Sequence, residues 1–210
     1  MAAPNKIWLY RMTHIDNLRH ILQHGLVTAA HPNAAPNYRS IGDKSLINFR
    51  KNINAPPPLS GTFADYVPFY LGHHSPMLLQ IKTGFEGIEQ LPQSDIVYLV
   101  ADHDDIVAKG LEYFFTDGHA RYKFTQFFSN PADFDQLDWE TIYAPFWQNT
   151  QEDEDRQRRK QAEYMVKNEV TIDCIKFILV FDKTAQQNVV NLQQQLKNTI
   201  PVKISTKAYY

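Results

Sequence analysis

Four cations and one carboxylate lie within eight residues of each other: Arg156, Arg158, Arg159 and Lys160 run through Gln161 and Ala162 into Glu163. Glu163 opens a short apolar run, Tyr164-Met165-Val166, which suits either a strand or the first turn of a buried helix. A carboxylate at the edge of packed structure, beside clustered positive charge, fits chemistry on a polyanion. The cations would hold phosphates while the carboxylate acts on what they deliver. The plainer alternative is a solvated basic helix followed by an unremarkable glutamate. The chain carries a net charge of −2, so any nucleic-acid contact must come from a local patch of this kind.

The remaining sequence must build the elements that position such a site. Two hundred and ten residues, 43% of them hydrophobic and 21% charged, suit one soluble domain spanning residues 1–210 with a full core. Lys6 to Met12 reads as a strand. Thr13 is expected to cap a following helix, with Ile15, Leu18, Ile21 and Leu22 on one face and Gly25 at its end. Val27 to Pro58 holds five of the twelve prolines and a single helical island, Ile41 to Lys51. A long irregular stretch of this sort is usually a binding loop or lid. Asp65 to Leu71 and Met77 to Lys82 read as strands around Gly72-His73-His74-Ser75-Pro76. Ile96 to Ala101 is a buried strand with a short helix after it, and Glu112 to Phe115 is a further strand. Asp135 to Trp147 is expected to be helical as far as Pro145. Ile175 to Phe181 is expected to be a central strand, Thr184 to Lys197 a polar helix and Val202 to Ser205 a last strand. Strands and helices do not alternate as regular βαβ units, which favours an α+β fold.

Several chemistries have no residues to support them. The single Cys174 excludes an internal disulfide and a cysteine-based zinc site. His20 and His24 have a ligand spacing but no HExxH motif or partner carboxylate, so no metal site is expected. Walker, GxGxxG and GxSxG motifs are all absent. The polar start, Met1 to Lys6, and the lack of any apolar run near ~18 residues point to a cytoplasmic protein without a membrane partner. His14, directly after the first strand, is placed to hold a ribose hydroxyl or a phosphate, or else makes only a local hydrogen bond. The aromatic run Asp65-Tyr66-Val67-Pro68-Phe69-Tyr70, with Ser75-Pro76-Met77, offers faces on which a nicotinamide or nucleobase stacks, or simply packs a core.

Taken in order, these stretches resemble the DarT family of DNA ADP-ribosyltransferases, toxins of DarT–DarG toxin–antitoxin pairs. The resemblance is carried by Met12-Thr13-His14-Ile15-Asp16-Asn17, Arg39-Ser40-Ile41, Asp65 to Tyr70 with Ser75-Pro76-Met77, Phe115-Thr116-Asp117-Gly118-His119, Leu137-Asp138-Trp139 and Gln161-Ala162-Glu163. It implies an ADP-ribosyltransferase-like α+β fold of two packed antiparallel sheets with flanking helices. It implies NAD+ as co-substrate without a metal, a base of single-stranded DNA (thymine favoured) as acceptor, and a DarG-like, macrodomain-containing antitoxin as partner. Glu163 falls on the family's catalytic glutamate and Arg50 on an active-site arginine. His14 and Asn17 fall on the NAD+-binding motif, Tyr70 and Met77 on the nicotinamide pocket, and His119 on a histidine near the substrate strand. Arg156, Arg158, Arg159 and Lys160 are the expected DNA contacts. The family often carries an arginine six residues before the glutamate, where this chain has Gln157. Two other readings remain open: transfer to single-stranded RNA, and a non-catalytic module that only binds single strands.

Overall fold

A computed structural model describes residues 2–210. Its strands join in the order β10-β9-β4-β1-β3-β7-β5-β6, with a separate two-stranded piece, β2-β8. The strands are β1 (Trp8–His14), β2 (Leu26–Val27), β3 (Tyr66–Tyr70), β4 (Ile96–Asp102), β5 (Tyr113–Thr116), β6 (Phe127–Phe128), β7 (Glu163–Lys167), β8 (Glu169–Val170), β9 (Ile175–Val180) and β10 (Val202–Ile204). The helices are α1 (Leu18–His24), α2 (Lys44–Lys51), α3 (Pro76–Thr83), α4 (His103–Ala108), α5 (Trp139–Tyr143), α6 (Arg156–Lys160) and α7 (Lys183–Leu196).

The eight-stranded ladder is two four-stranded halves held by one pairing. β1 pairs with β4 along its whole length, from Trp8 opposite Asp102 to His14 opposite Ile96. Toward β3, however, β1 makes a single pair, Tyr10 opposite Tyr70. β3 then pairs fully with β7, from Tyr66 opposite Lys167 to Tyr70 opposite Glu163. β1 and β3 therefore part on either side of one residue pair, and a cleft opens between the halves. The expected pair of sheets is present in this form. Every ladder is antiparallel except β9–β10, which is parallel and crosses over through α7.

β4 explains why both halves hold together. All seven of its residues are buried. Val97, Leu99 and Ala101 join the core shared with α1, α5 and α7, while Ile96, Tyr98 and Val100 join a second core shared with α3 and the C-terminal Tyr209. A strand covered on both faces reads as a continuous apolar run, as Ile96 to Ala101 does. A third, smaller cluster, built from Phe63, Tyr66, Phe114 and Met165, packs beneath the β3–β7–β5 half. No helix among the described residues is long and apolar enough to cross a membrane.

Four expectations need correction. Met77 to Lys82 is not a strand but most of α3, because Ser75 caps it by accepting from the Leu78 N–H and Pro76 occupies its first turn. Its buried residues, Pro76, Met77, Leu78 and Ile81, fall on a helical face. The cap after β1 is His14 rather than Thr13: its Nδ1 accepts from the Asp16 N–H at 3.1 Å, and a 3-10 turn over Ile15–Asn17 leads into α1. β9 lies one strand in from the β10 edge, not at the centre. The Asp135 to Trp147 stretch is helical only in pieces, a 3-10 segment at Pro131–Gln136 followed by α5.

Five histidines, His14, His73, His74, His103 and His119, have pKa values lowered by burial, and His73 falls to about 4. Each is neutral in the fold yet protonates near 6.5 once unfolded, so between those values the unfolded chain binds more protons. Stability is therefore fully present above about pH 6.5 and is lost as pH falls toward 4. Melting followed from pH 7 to pH 4 should show this fall, and His73→Asn should make it shallower. An equal slope in parent and variant would remove His73 from the account.

Candidate active site

Glu163 begins β7 with its side chain buried at 3% exposure. An ionised carboxylate there needs compensation, and two neighbours supply it. The Arg50 guanidinium pairs with Oε1, and the Ala120 N–H donates to Oε2 at 3.1 Å. His119 Nδ1 stands 4.0 Å from Oε2. The Glu163 N–H donates to the Thr116 hydroxyl at 3.0 Å, and that hydroxyl donates to the Gly118 carbonyl at 2.6 Å, fixing the strand end against the turn that carries Ala120. Burial alone would raise the Glu163 pKa. The Arg50 charge and the Ala120 N–H outweigh it and hold the carboxyl below its ordinary range. Glu163 is thus a carboxylate at neutral pH. Burial keeps His119 neutral, and its Nδ1 accepts from the Arg121 N–H, which assigns the ring proton to Nε2.

Arg50 comes from α2, which Asp43 caps through the Ser45 N–H at 2.7 Å. None of the residues of α2 is fully buried, so the ion pair to Glu163 is a main tie between this helix and the core. Arg50 also approaches Met165 Sδ at 3.4 Å. Tyr70 reaches the site by register, since it lies directly opposite Glu163. Burial, with the Glu163 charge adding to it, pushes its phenol up to about 12. Met77 arrives from the first turn of α3.

These five side chains line one cavity of about 410 Å³ in the cleft between the halves of the sheet, which continues past β1 to Leu26, Val27 and Ala34. His14 and Asn17 lie beside it rather than in its wall. His14 is buried, with Nε2 lacking a partner. Asn17 holds the covering loop: its amide donates to the Arg39 carbonyl and its oxygen accepts from the Arg39 N–H, both at 2.8 Å. The Arg39 side chain bridges Asp16 and Glu89, and the Tyr38 hydroxyl sits 3.0 Å from Thr13 Oγ1. The proline-rich loop is thus tied down by its own contacts. Among the described residues no group of three or more metal-binding side chains gathers. His20 Nε2 instead lies 2.7 Å from the Asn33 carbonyl.

The basic run requires a correction, because three of its four cations turn inward. Arg158, 7% exposed, forms paired hydrogen bonds with both Asp117 and Asp155. Arg159 is shared among Asp138, Asp153 and Asp155. Lys160, 2% exposed, donates to the Ile142 and Ala144 carbonyls at 2.8 Å and so closes the end of α5. Burial, then the neighbouring Arg156, lowers its pKa to about 8. Arg158 also steers the turn after β5: its carbonyl accepts from the His119 N–H at 3.0 Å, and its side chain packs where a Cβ on Gly118 would stand. Among the described residues, Arg156 is the member with no acidic partner.

Sequence reasoning missed Thr116, Ala120, Arg11 and Tyr38. The first two act through a hydroxyl and a main-chain N–H, which leave no mark in residue type. Arg11 did leave one, as a charge in the middle of an otherwise apolar, aromatic strand. Arg158→Ala should lower stability by roughly 2–3 kcal/mol, because two carboxylates lose their partner. The same change should leave the salt dependence of single-strand binding unaltered, whereas Arg156→Ala should flatten the slope by about 0.7. Melting and salt titrations check both, and a flattened slope for Arg158→Ala would return that residue to the strand.

A family model described as ssDNA thymidine ADP-ribosyltransferase, DarT, matches residues 10–210. A DNA ADP-ribosyl transferase from Escherichia coli O127:H6 is 33% identical over 180 residues, covering 86% of this chain and 83% of the relative. Among solved structures, Thermus sp. 2.9 DarT in complex with ADP-ribosylated ssDNA superposes with a TM-score of 0.91 at 33% identity, over 100% of this chain and 99% of that one. The same Thermus protein in complex with NAD+ gives 0.85 at 32% identity, over 99% and 100%. With every residue lining the cleft inside the matched span, this chain belongs to the DarT family of ssDNA thymidine ADP-ribosyltransferases.

Proposed function

We propose that this protein transfers ADP-ribose from NAD+ to a thymine of single-stranded DNA, releases nicotinamide, and acts in the cytoplasm as a toxin restrained by a DarG-like, macrodomain-containing antitoxin. The whole chain serves as one catalytic domain. The observation that carries the reading is Glu163, a buried carboxylate kept ionised by Arg50 and the Ala120 N–H at the wall of the cleft of about 410 Å³. A protein that only bound a polyanion would gain nothing from a buried negative charge there, which argues against the non-catalytic alternative.

The residues suit the substrate. Tyr70 and Met77 give the cavity the flat and polarisable surfaces that a nicotinamide ring needs. Breaking the bond between nicotinamide and the ribose anomeric carbon builds positive charge on the sugar, as in glycoside cleavage. Glu163 stabilises that charge electrostatically through the neighbouring ribose hydroxyl. Thymine in DNA has one ring N–H, at N3. Attack from N3 forms the new bond to the anomeric carbon as nicotinamide leaves, and the N3 proton passes to a base, the role Glu163 is placed to fill. Arg50 holds Glu163 ionised and contacts the acceptor. Asn17 sets the loop over the nucleotide through the Arg39 backbone, and His14, whose Nε2 has no partner in the protein, contacts NAD+ beside it. His119, Arg156 and the exposed turn Arg121-Tyr122-Lys123-Phe124 supply the imidazole, cations and aromatic faces that a single strand uses.

Glu163→Gln is the decisive variant. It should keep NAD+ affinity and lose about 10²-fold or more in turnover, measured as intact mass of a thymidine-containing oligonucleotide after incubation with NAD+. Equal turnover would sink the assignment. Matched RNA and thymine-free DNA oligonucleotides should gain no mass, and modification of RNA would instead favour the RNA alternative. Growth arrest on expression, relieved by a co-expressed macrodomain antitoxin, tests the toxin role.

A further inference from the structure

Tyr210 lies outside the cavity, yet it is tied to the turn that places one of the cavity's walls. Its phenol accepts from Trp147 Nε1 and donates to the His74 carbonyl at 2.9 Å, with the Ser75 carbonyl 3.3 Å away. Its ring meets the His74 imidazole edge to face, 4.2 Å between centres. Its main chain is fixed as well. The Gln93 side chain accepts from the Tyr210 N–H at 2.7 Å and donates to the Tyr210 carbonyl.

What the phenol holds is a turn under strain. His74 has φ 63°, a left-handed conformation that a residue with a side chain keeps only where its contacts impose it. From His74 the chain passes directly into Ser75, the cap of α3, then Pro76 and Met77, which enters the cavity wall. The start of the same turn is wedged by packing, because Gly72 lies too close to the Ile142 carbonyl for a Cβ to fit. The turn thus joins Tyr70, at the end of β3, to Met77, in the first turn of α3, the two residues that face a nicotinamide ring. Its Tyr70 end is set by packing on α5, and its Met77 end by hydrogen bonds to Tyr210. Any shift of the His74 carbonyl moves the cap, and with it the gap between Met77 and Tyr70.

We propose that Tyr210 is a positioning residue for the nicotinamide end of the site: through His74 and Ser75, its hydroxyl sets the spacing of Met77 from Tyr70. The assignment rests on the NAD+ reading above. Tyr209, the same residue type one place earlier, provides the contrast. Its hydroxyl bonds the Ile96 and Leu179 carbonyls, and so ties β4 to β9 rather than holding the turn.

Calorimetry with NAD+, and with ADP-ribose, which lacks the nicotinamide ring, tests the proposal in the parent, Tyr210→Phe and Tyr209→Phe. Tyr210→Phe keeps the ring against His74 and removes only the hydroxyl. It should bind NAD+ about fivefold or more weaker, and ADP-ribose within about twofold of the parent. In turnover with a thymidine-containing oligonucleotide, added nicotinamide should inhibit this variant less than it inhibits the parent. Tyr209→Phe should lower the melting temperature and leave the ratio of the two affinities unchanged, which separates positioning from general support. Gln93→Ala frees Tyr210 from its main-chain side, should show the same selective loss of NAD+, and decides the case should Tyr210→Phe fold poorly. An equal loss for both ligands, or no loss for either, overturns the assignment of Tyr210 alone. A parent that binds neither ligand overturns the NAD+ reading with it.

Discussion

A carboxylate removed from water stays ionised only where other groups replace the solvent, and Glu163 shows what that demands of a chain. Arg50 brings a full positive charge from α2, more than a hundred residues earlier in the sequence. Ala120 brings a main-chain N–H from the turn after β5, and Thr116 secures both that turn and the start of β7. The same demand extends outward. The turn holding Ala120 and His119 is itself held by Arg158, which Asp117 and Asp155 neutralise. The ion pairs around α6 are therefore the outer support of one buried charge, and the short helix is built to carry them.

The cleft that contains this charge follows from how little β1 and β3 share. A sheet paired continuously from β10 to β6 would leave no space between its central strands. Restricting β1 and β3 to Tyr10 and Tyr70 keeps the halves in one molecule and leaves main-chain groups of the parted strands facing the gap. Arg11 satisfies one of them, the Pro68 carbonyl, and the loop held by Asn17 covers the rest of the opening.

Where the sequence was legible, short-range physics was enough. The double coverage of β4 appears as an unbroken apolar run, α7 as a polar helix, and Gly25 as a helix stop at φ 79°. Glu163 and its neighbours in the cavity wall were readable through their order along the chain. Charges were harder, because a cation's partner is a matter of tertiary structure. Arg158 has one partner close by, Asp155 three positions earlier, but nothing nearby in sequence announces the other, Asp117, forty-one positions away. Met77 to Lys82 was misread because a Ser-Pro start outweighs a run of apolar residues that alone suits either element. Asn17 was found, yet its work on the Arg39 backbone needs the folded loop to be seen.

The two contacts on the Glu163 carboxylate have a further consequence. An ionised carboxylate offers about four lone pairs, and Arg50 and Ala120 each draw on one oxygen. Acceptor capacity therefore remains on both oxygens after the protein's own donors are in place. A sugar hydroxyl can join without displacing either contact, so the side chain need not rotate, release a partner or admit water when substrate arrives. The reorganisation that a solvated carboxylate would undergo at that moment has already been completed during folding.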